Sequence, residues 1–256
     1  MNLVSVIIPT YNRLPELKDA LDSVINQTYK NIEIVIVDNF SNDGTKEFIL
    51  SLKSKLIRFY QIENKGVIAL SRNLGIKMSK GKYISFLDSD DIFLNDKLEL
   101  SIKKLIQNDA DFLYGNFIEF NSNQKSKISV KDISSNPLNH LLYKGNPIAT
   151  STVVIKKELT KNNFLFSEED RKIAWEDYHL WLRFADSNYK FCKLDTYSTM
   201  LRKNDSNYSS SSVILRNNKR VSEYLNQKYC VNGDWLELHA LQGLMLTGES
   251  KSIRKQ

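Results

Sequence analysis

The sequence predicts an α/β fold: a mostly parallel central sheet flanked by helices, with a helical tail at the C-terminal end. Three observations carry that expectation. Residues 3–10 (LVSVIIPT) and 32–38 (IEIVIVD) are continuous β-branched runs, the pattern of strands covered by helices on both faces. Between them Leu14, Leu17, Leu21, Val24 and Ile25 recur at helical spacing. Strand and helix signals then alternate through about the first half of the chain, as a doubly wound layer requires.

Taken in order, Asp43-Gly44 opens a helix carrying Phe48, Ile49 and Leu52, with Asn42 and Asp43 as its caps. IRFYQI at 57–62 reads as a strand, 67–79 as a helix and YISFLD at 83–88 as a strand. Leu98, Ile102, Leu105 and Ile106 mark another helix. DFLYGNFIEF at 111–120 then reads as a strand outside the regular alternation. The Asn-, Ser- and Lys-rich stretch 121–137 reads as a mobile loop. STVVIKK at 151–157 reads as a strand, Trp175 to Asp186 as a helix, and 190–201 as short strands. From Val213 to the end the pattern is helical, and no internal repeat is visible.

Composition bounds the function without naming it. A chain of 256 residues, 41% hydrophobic and 26% charged, can bury a full core and is neither disordered nor fibrous. Lys and Arg number 36 against 30 acidic residues, a balance of +6. That excess suits nucleic acid, an anionic membrane surface or phosphorylated substrates, and equally a solvated lysine-rich surface. Two cysteines, Cys192 and Cys230, are too few for a metal knuckle or a disulfide framework and read as reduced, buried thiols. MNLVSVIIPTYNR has no basic segment ahead of its apolar run. No stretch approaches the ~20 apolar residues of a spanning helix. The expectation is a cytoplasmic protein.

Four constellations carry chemistry. Asp88-Ser89-Asp90-Asp91 follows an apolar strand. Residues i and i+2 at a strand end share a direction, so Asp88 and Asp90 are expected at the crevice beyond the carboxyl edge of the sheet, where open α/β sheets bind ligands. Carboxylates there suit Mg²⁺ or Mn²⁺, which neutralises a diphosphate; one of them as an N-cap is the structural alternative. The first strand leaves through Pro9-Thr10-Tyr11-Asn12-Arg13 without a GxGxxG loop, which disfavours a hydride-transfer enzyme. Tyr11 can stack on a nucleobase or pack on a neighbouring loop, and Asp38, ending the second strand, can accept a hydrogen bond from a base or ribose. Asn64-Lys65-Gly66 precedes a helix bearing Arg72-Asn73; the Arg72 fork suits either phosphate or the carboxylates at 88–91. In WEDYHLWLR (175–183), Glu176 and Asp177 complement a helix dipole. Flanking Trp175 and Trp181 would also shield a carboxylate from water and raise its pKa toward that of a base. His179 reads as a packing or surface residue.

Together VSVIIPTYNR, IEIVIVDNFSNDGT, NKGVIALSRNLGIKMSKGKYISFLDSDD and WEDYHLWLRFAD, spanning about residues 3–186, resemble the family-2 inverting glycosyltransferases. Their GT-A fold is Rossmann-like. The resemblance implies a UDP-sugar site built from Pro9, Thr10, Tyr11, Asp38, Lys65, Arg72, Asp88 and Ser89. It implies Asp90 as ligand of Mn²⁺ or Mg²⁺ and Asp177 as the catalytic base, with Glu176, Trp175 and Trp181 supporting the acceptor side. Residues 1–212 would form the transferase domain, about 1–100 binding nucleotide and 101–212 the acceptor, and 213–256 a helical extension. The acceptor implied is a lipid-linked saccharide of bacterial surface polysaccharide synthesis. The tail's basic residues, Arg216, Lys219 and Arg220 among them, would touch the inner face of the plasma membrane. Nucleic acid drops out as an expected partner.

Three departures from the family pattern stand out. Asp38 is followed by Asn39 where many members have a second aspartate. The glycine-rich segment before the acidic pair is replaced by Asn162-Asn163-Phe164-Leu165-Phe166-Ser167-Glu168-Glu169. Where some relatives carry a metal-binding histidine, this chain has Asn204-Asp205. A nucleotidyltransferase, which makes pyrophosphate, and a non-catalytic nucleotide-binding module are the competing readings. The first lacks its Gly-rich opening loop here, and the second leaves Glu176-Asp177 without a task. A glycoside hydrolase would need two opposed carboxyl groups and no nucleotide crevice.

Overall fold

The structure, a computed structural model, describes residues 2–161, 164–168 and 176–203. Trp175, Asn162, Asn163, Glu169, Asn204, Asp205, Cys230 and the expected helical extension 213–256 lie outside the described residues. The first elements are β1 (Val4–Thr10), α1 (Leu14–Ile25), β2 (Ile32–Asp38), α2 (Thr45–Ser51), β3 (Ile57–Gln61), α3 (Ile68–Met78) and β4 (Tyr83–Phe86), in the expected alternation. Then follow β5 (Ile92–Phe93), α4 (Lys97–Gln107), β6 (Phe112–Gly115), β7 (Phe117–Phe120), β8 (Lys125–Ile128) and α5 (Pro137–Lys144). Last come β9 (Val154–Lys156), α6 (Glu176–Asp186), β10 (Phe191–Leu194) and β11 (Thr199–Arg202), with 3-10 turns at Thr150–Thr152 and Lys157–Thr160 on either side of β9.

Seven strands form the main sheet in the order β10-β6-β9-β4-β1-β2-β3. β9 runs antiparallel to both neighbours, and the other pairings are parallel. Strand periodicity sorts β1 and β2 between two cores. Ile7, Val35 and Val37 join α3, α5 and α6 on one face; Val4, Val6, Ile8, Ile34 and Ile36 join α1 and α4 on the other. Both faces are covered, which is why these strands carry no polar alternation. α3 lies directly against β1, since a Cβ on Gly75 would stand 2.3 Å from Ile7 Cγ2. The chain reverses order on leaving β1, whose neighbours are β4 and β2, and so opens a crevice at its carboxyl end.

A second sheet, β5-β11-β7-β8, corrects two expectations. The stretch 111–120 is not one strand: it breaks at buried Asn116, and β6 stays in the main sheet while β7 enters the second. Asn116 makes the break by donating to the Asp195 carbonyl (2.7 Å) and accepting from the Val130 amide (2.9 Å). The polar stretch 121–137 holds β8, paired antiparallel with β7, so it is no mobile loop throughout. Its exposed Lys125, Ser126 and Lys127 are the charged and polar dressing of an edge strand, which imitates loop composition. The strand expected at 151–157 is likewise shorter, because 150–152 turns instead of extending. Asn42 does not cap α2: Gly44 does so at φ 88°, while Asp43 accepts from the Leu14 amide (2.8 Å) and the Thr45 hydroxyl (2.6 Å), tying two helix starts together. Cys192 is buried, and burial pushes its thiol up to about 12.

Candidate active site

A crevice of about 480 Å³ opens at the carboxyl ends of β1 and β4. Pro9, Thr10 and Tyr11 line it as β1 ends. Thr10 is buried with its hydroxyl lacking a partner among the described residues, and Tyr11 is 55% exposed. Two loops form this wall and are latched together: the Asn12 amide donates to Ser41 Oγ (2.8 Å) and the Asn42 amide to Asn12 Oδ1 (2.8 Å). Asn39 and Asn64 complete it, the Asn64 amide donating to Asn39 Oδ1 at 2.8 Å.

Asp38 is fully buried and is not among the lining residues. Its carboxylate accepts from the Ser41 amide (3.1 Å) and Gln61 Nε2 (3.0 Å), so it braces the loop that presents Asn39. Lys65 is exposed at φ 52° beside the lining residue Gly66 and does not itself line the crevice. Among the lining residues that the sequence motifs did not assign to the site are Arg13, Asn39, Asn64 and Arg202. Arg13 closes the PTYNR motif, whereas Arg202 has no local signal, being on β11 more than a hundred residues from the turn it meets.

The acidic segment is a turn rather than a strand end. β4 stops at Phe86, and the Asp91 amide donates to the Asp88 carbonyl at 3.0 Å. Asp88, Ser89 and Asp90 all line the crevice, but a turn aims them there, not the strand pleat. Asp90 pairs with Arg13, and Arg202 Nε donates to the Asp90 carbonyl (3.1 Å). Asp91 faces inward: it accepts from Ser151 Oγ (2.6 Å) and the Arg202 amide (2.9 Å). Burial, and next the Asp88 charge, raise its pKa well above the ordinary carboxylate value. Among the described residues no three His, Cys, Asp or Glu side chains converge as a metal cage. Carboxylates at the crevice would suit a hard cation only if ligand phosphate and water oxygens completed its shell. Asp90 is the carboxylate of this turn that would serve, and a divalent ion there would take the place that the Arg13 guanidinium now fills.

Arg72 is 3% exposed and does not line the crevice. Of the two partners its sequence suggested, it takes the carboxylates, donating to Asp88 Oδ1 (2.7 Å) and Glu176 Oε1 (2.8 Å) over the ring of Phe166. Burial opposes its charge, but Asp88 and Glu176 outweigh burial and hold the guanidinium protonated. α6 is thereby tied to the acidic turn by one side chain. At its start Asp177 accepts from Thr150 Oγ1 (3.0 Å) and from the Tyr178 amide (2.6 Å). Burial, then the neighbouring Glu176 charge, push Asp177 up to about 6 against the opposing pull of Arg72. A carboxyl at that value is mostly ionised at neutral pH and yet basic enough to take a proton. Trp181 does not line the crevice: it is fully buried, its ring 4.9 Å from Phe112 and 5.9 Å from Phe166, and it anchors α6 to the sheet.

The family model for Glycosyl transferase family 2 matches residues 5–176. A glycosyltransferase of Rickettsia felis is 40% identical over 188 residues, covering 72% of this chain and 30% of its own length. This chain therefore spans about a third of that relative. The Escherichia coli UDP-Glc:alpha-D-GlcNAc-diphosphoundecaprenol beta-1,3-glucosyltransferase WfgD is 31% identical over 237 residues, covering 92% of this chain and 87% of the relative. Among solved structures, S. aureus TarS 1–349 in complex with UDP-GlcNAc superposes with a TM-score of 0.70 at 24% identity, covering all of this chain and 74% of that one. That likeness shows the fold, the GT-A arrangement of α/β layers expected from the sequence.

Proposed function

We propose, from the premise that this chain belongs to glycosyl transferase family 2, that it is an inverting glycosyltransferase. It moves a sugar from a UDP-sugar to a hydroxyl of a saccharide carried on a lipid diphosphate, in bacterial surface polysaccharide synthesis. The observation that carries this reading is the Arg72 bridge, which joins the acidic turn at the crevice to the helix start bearing Asp177. In this reading nucleotide and base stand on two sides of one point. The E. coli relative, whose name states a UDP-glucose donor and a diphosphoundecaprenol-linked acceptor, supports the choice of substrates.

In this reading Thr10 and Tyr11 hold the nucleoside, the Tyr11 ring offering its open face for stacking. Asp38 acts from beneath through the loop it braces, and Lys65 stands at the rim. Asp88, Ser89 and Asp90 receive the ribose and diphosphate. Asp90 would hold a divalent cation, Mn²⁺ or Mg²⁺, whose positive charge would stabilise the departing diphosphate. Asp177 takes the proton of the acceptor hydroxyl as that oxygen attacks the anomeric carbon opposite the leaving UDP. One displacement converts an α-linked donor to a β-linkage. Glu176 neutralises Arg72 and adds the charge that keeps Asp177 basic. Residues 1 to about 100 would then be the nucleotide half and 101–212 the acceptor half.

The test offers UDP-Glc, UDP-Gal, UDP-GlcNAc and UDP-GalNAc with synthetic lipid-diphosphate sugars. Acceptor-dependent release of UDP is expected, lost in Asp177→Asn while UDP binding persists. Release of pyrophosphate would make the protein a nucleotidyltransferase, binding without release a nucleotide-binding module, and full turnover in Asp177→Asn would remove that residue from the mechanism. No helix among the described residues is long and apolar enough to cross a membrane. Contact with the membrane is assigned here to residues 213–256, and deleting them should lower binding to anionic vesicles while sparing donor hydrolysis. Equal vesicle binding with and without them rejects it.

A further inference from the structure

Thr150, Ser151 and Thr152 form a 3-10 turn that is 7%, 1% and 1% exposed. With three residues per turn, successive positions point about 120° apart, so three adjacent residues can address three separate elements. They do so here. Thr150 Oγ1 donates to Asp177 Oδ2 on α6 at 3.0 Å. Ser151 Oγ donates to Asp91 Oδ2 at 2.6 Å and accepts from the Asp88 amide at 3.0 Å. The Thr152 carbonyl accepts from Lys97 Nζ of α4 at 2.8 Å. A strand, which the sequence pattern of 151–157 suggests, would send alternate residues to opposite faces and could not make this three-way contact.

We propose that Thr150 and Ser151 are positioning residues: through this one turn Thr150 orients the base carboxylate and Ser151 holds the diphosphate-binding turn, fixing the separation between proton acceptor and leaving group. The inference rests on the reading of Asp177 as the base. Its geometry assigns separate tasks to adjacent hydroxyls. Ser151 uses its single proton on Asp91 and its lone pairs on the Asp88 amide, so it makes two bonds within the acidic turn and none to Asp177. Thr150 has one such contact, to Asp177. Among the described residues the charged and titratable groups around Asp177 are Glu176 and Tyr178 on its own helix and Arg72 from α3, itself paired with Asp88. Thr150 adds a neutral donor that favours the ionised carboxylate.

The test follows the titration of Asp177 by NMR of isotope-labelled aspartate carboxyls in the full chain, together with calorimetry of UDP binding in the presence of Mn²⁺. Thr150→Val should move the Asp177 midpoint upward by about one pH unit, the value of one hydrogen bond to a charged group, and leave UDP affinity unchanged. Thr150→Ser, which keeps the hydroxyl, should restore the midpoint. Thr150→Ala gives the same readout should packing exclude valine. Ser151→Ala should weaken UDP binding about tenfold without moving the Asp177 midpoint. An unmoved midpoint in Thr150→Val and Thr150→Ala, or an equal loss of UDP affinity at both positions, overturns the proposal. Retained turnover in Asp177→Asn overturns the base assignment instead. Because the Asp177 titration needs no turnover, the two failures are told apart.

Discussion

Replacing Arg72 by methionine removes a buried guanidinium and leaves its partners in place. Arg72 contacts Asp88 and Glu176 at 2.7 and 2.8 Å, and it counts among the charges that offset the burial of Asp177. Removing one member of a buried ion pair costs about 3–5 kcal/mol, because the remaining charge is left uncompensated. The Asp88 side chain is 32% exposed and Glu176 17%, so water screens part of the loss and the lower end, about 3 kcal/mol, is expected. For a chain of this size that lowers Tm by about 6–12 °C. The pH dependence identifies the cause. Without the guanidinium, Asp177 loses a charge that opposes its burial and binds its proton still more tightly in the folded than in the unfolded chain. Stability is then fully present below the ordinary carboxylate range and falls as pH rises through the raised folded value. Asp177 already titrates at about 6 in the parent, so the variant extends this loss above 6. Urea unfolding followed by tryptophan fluorescence at pH 5 and 8 measures it. The deficit relative to the parent should be smaller at pH 5 than at pH 8, and Glu176→Gln added to Arg72→Met should recover part of it. An equal deficit at both pH values, or none at pH 8, would refute the clamp.

Three further outcomes are expected. Because the proposed mechanism needs the ionised form of Asp177, UDP release should rise with pH through about 6 and level off above; a rise centred in the ordinary carboxylate range would show that burial does not tune this group. Asp90→Ala should weaken Mn²⁺-dependent UDP binding at least about tenfold, as loss of a charge-assisted contact predicts, and calorimetry showing parental binding would remove Asp90 from the cation site. Lys97 is 1% exposed and burial pushes its ammonium down to about 7 from 10.5. Between those values the unfolded chain binds the extra proton, so this residue makes stability rise with pH across the window. Lys97→Met should flatten that slope in thermal melts from pH 7 to 10, and an unaltered slope would mean the lysine is charged inside the fold.

The first half of the fold was legible because its signals are local. An uninterrupted apolar run such as IEIVIVD can be covered only by helices on both faces, and Leu17, Leu21 and Val24 face one core as their spacing requires. The motifs located the crevice through Thr10, Tyr11, Asp88 and Asp90, since strand ends in such a sheet must meet at its carboxyl edge. Segments whose composition serves a neighbour misled. The polar edge strand β8 resembles a loop, DFLYGNFIEF hides the sheet change at Asn116, and Trp181 beside an acidic pair serves the core.

Chain chemistry by itself therefore determined the α/β class, the family and the residue types at the site. Tertiary structure decided who meets whom. Arg72 faces carboxylates 16 and 104 residues away, Asp38 lies beneath the crevice wall, Arg202 crosses to the acidic turn, and Thr150 reaches Asp177. These pairings depend on how α3, α6 and a buried 3-10 turn pack around one sheet end. Such packing sums many weak contacts over the whole chain, and no local pattern of residues records it.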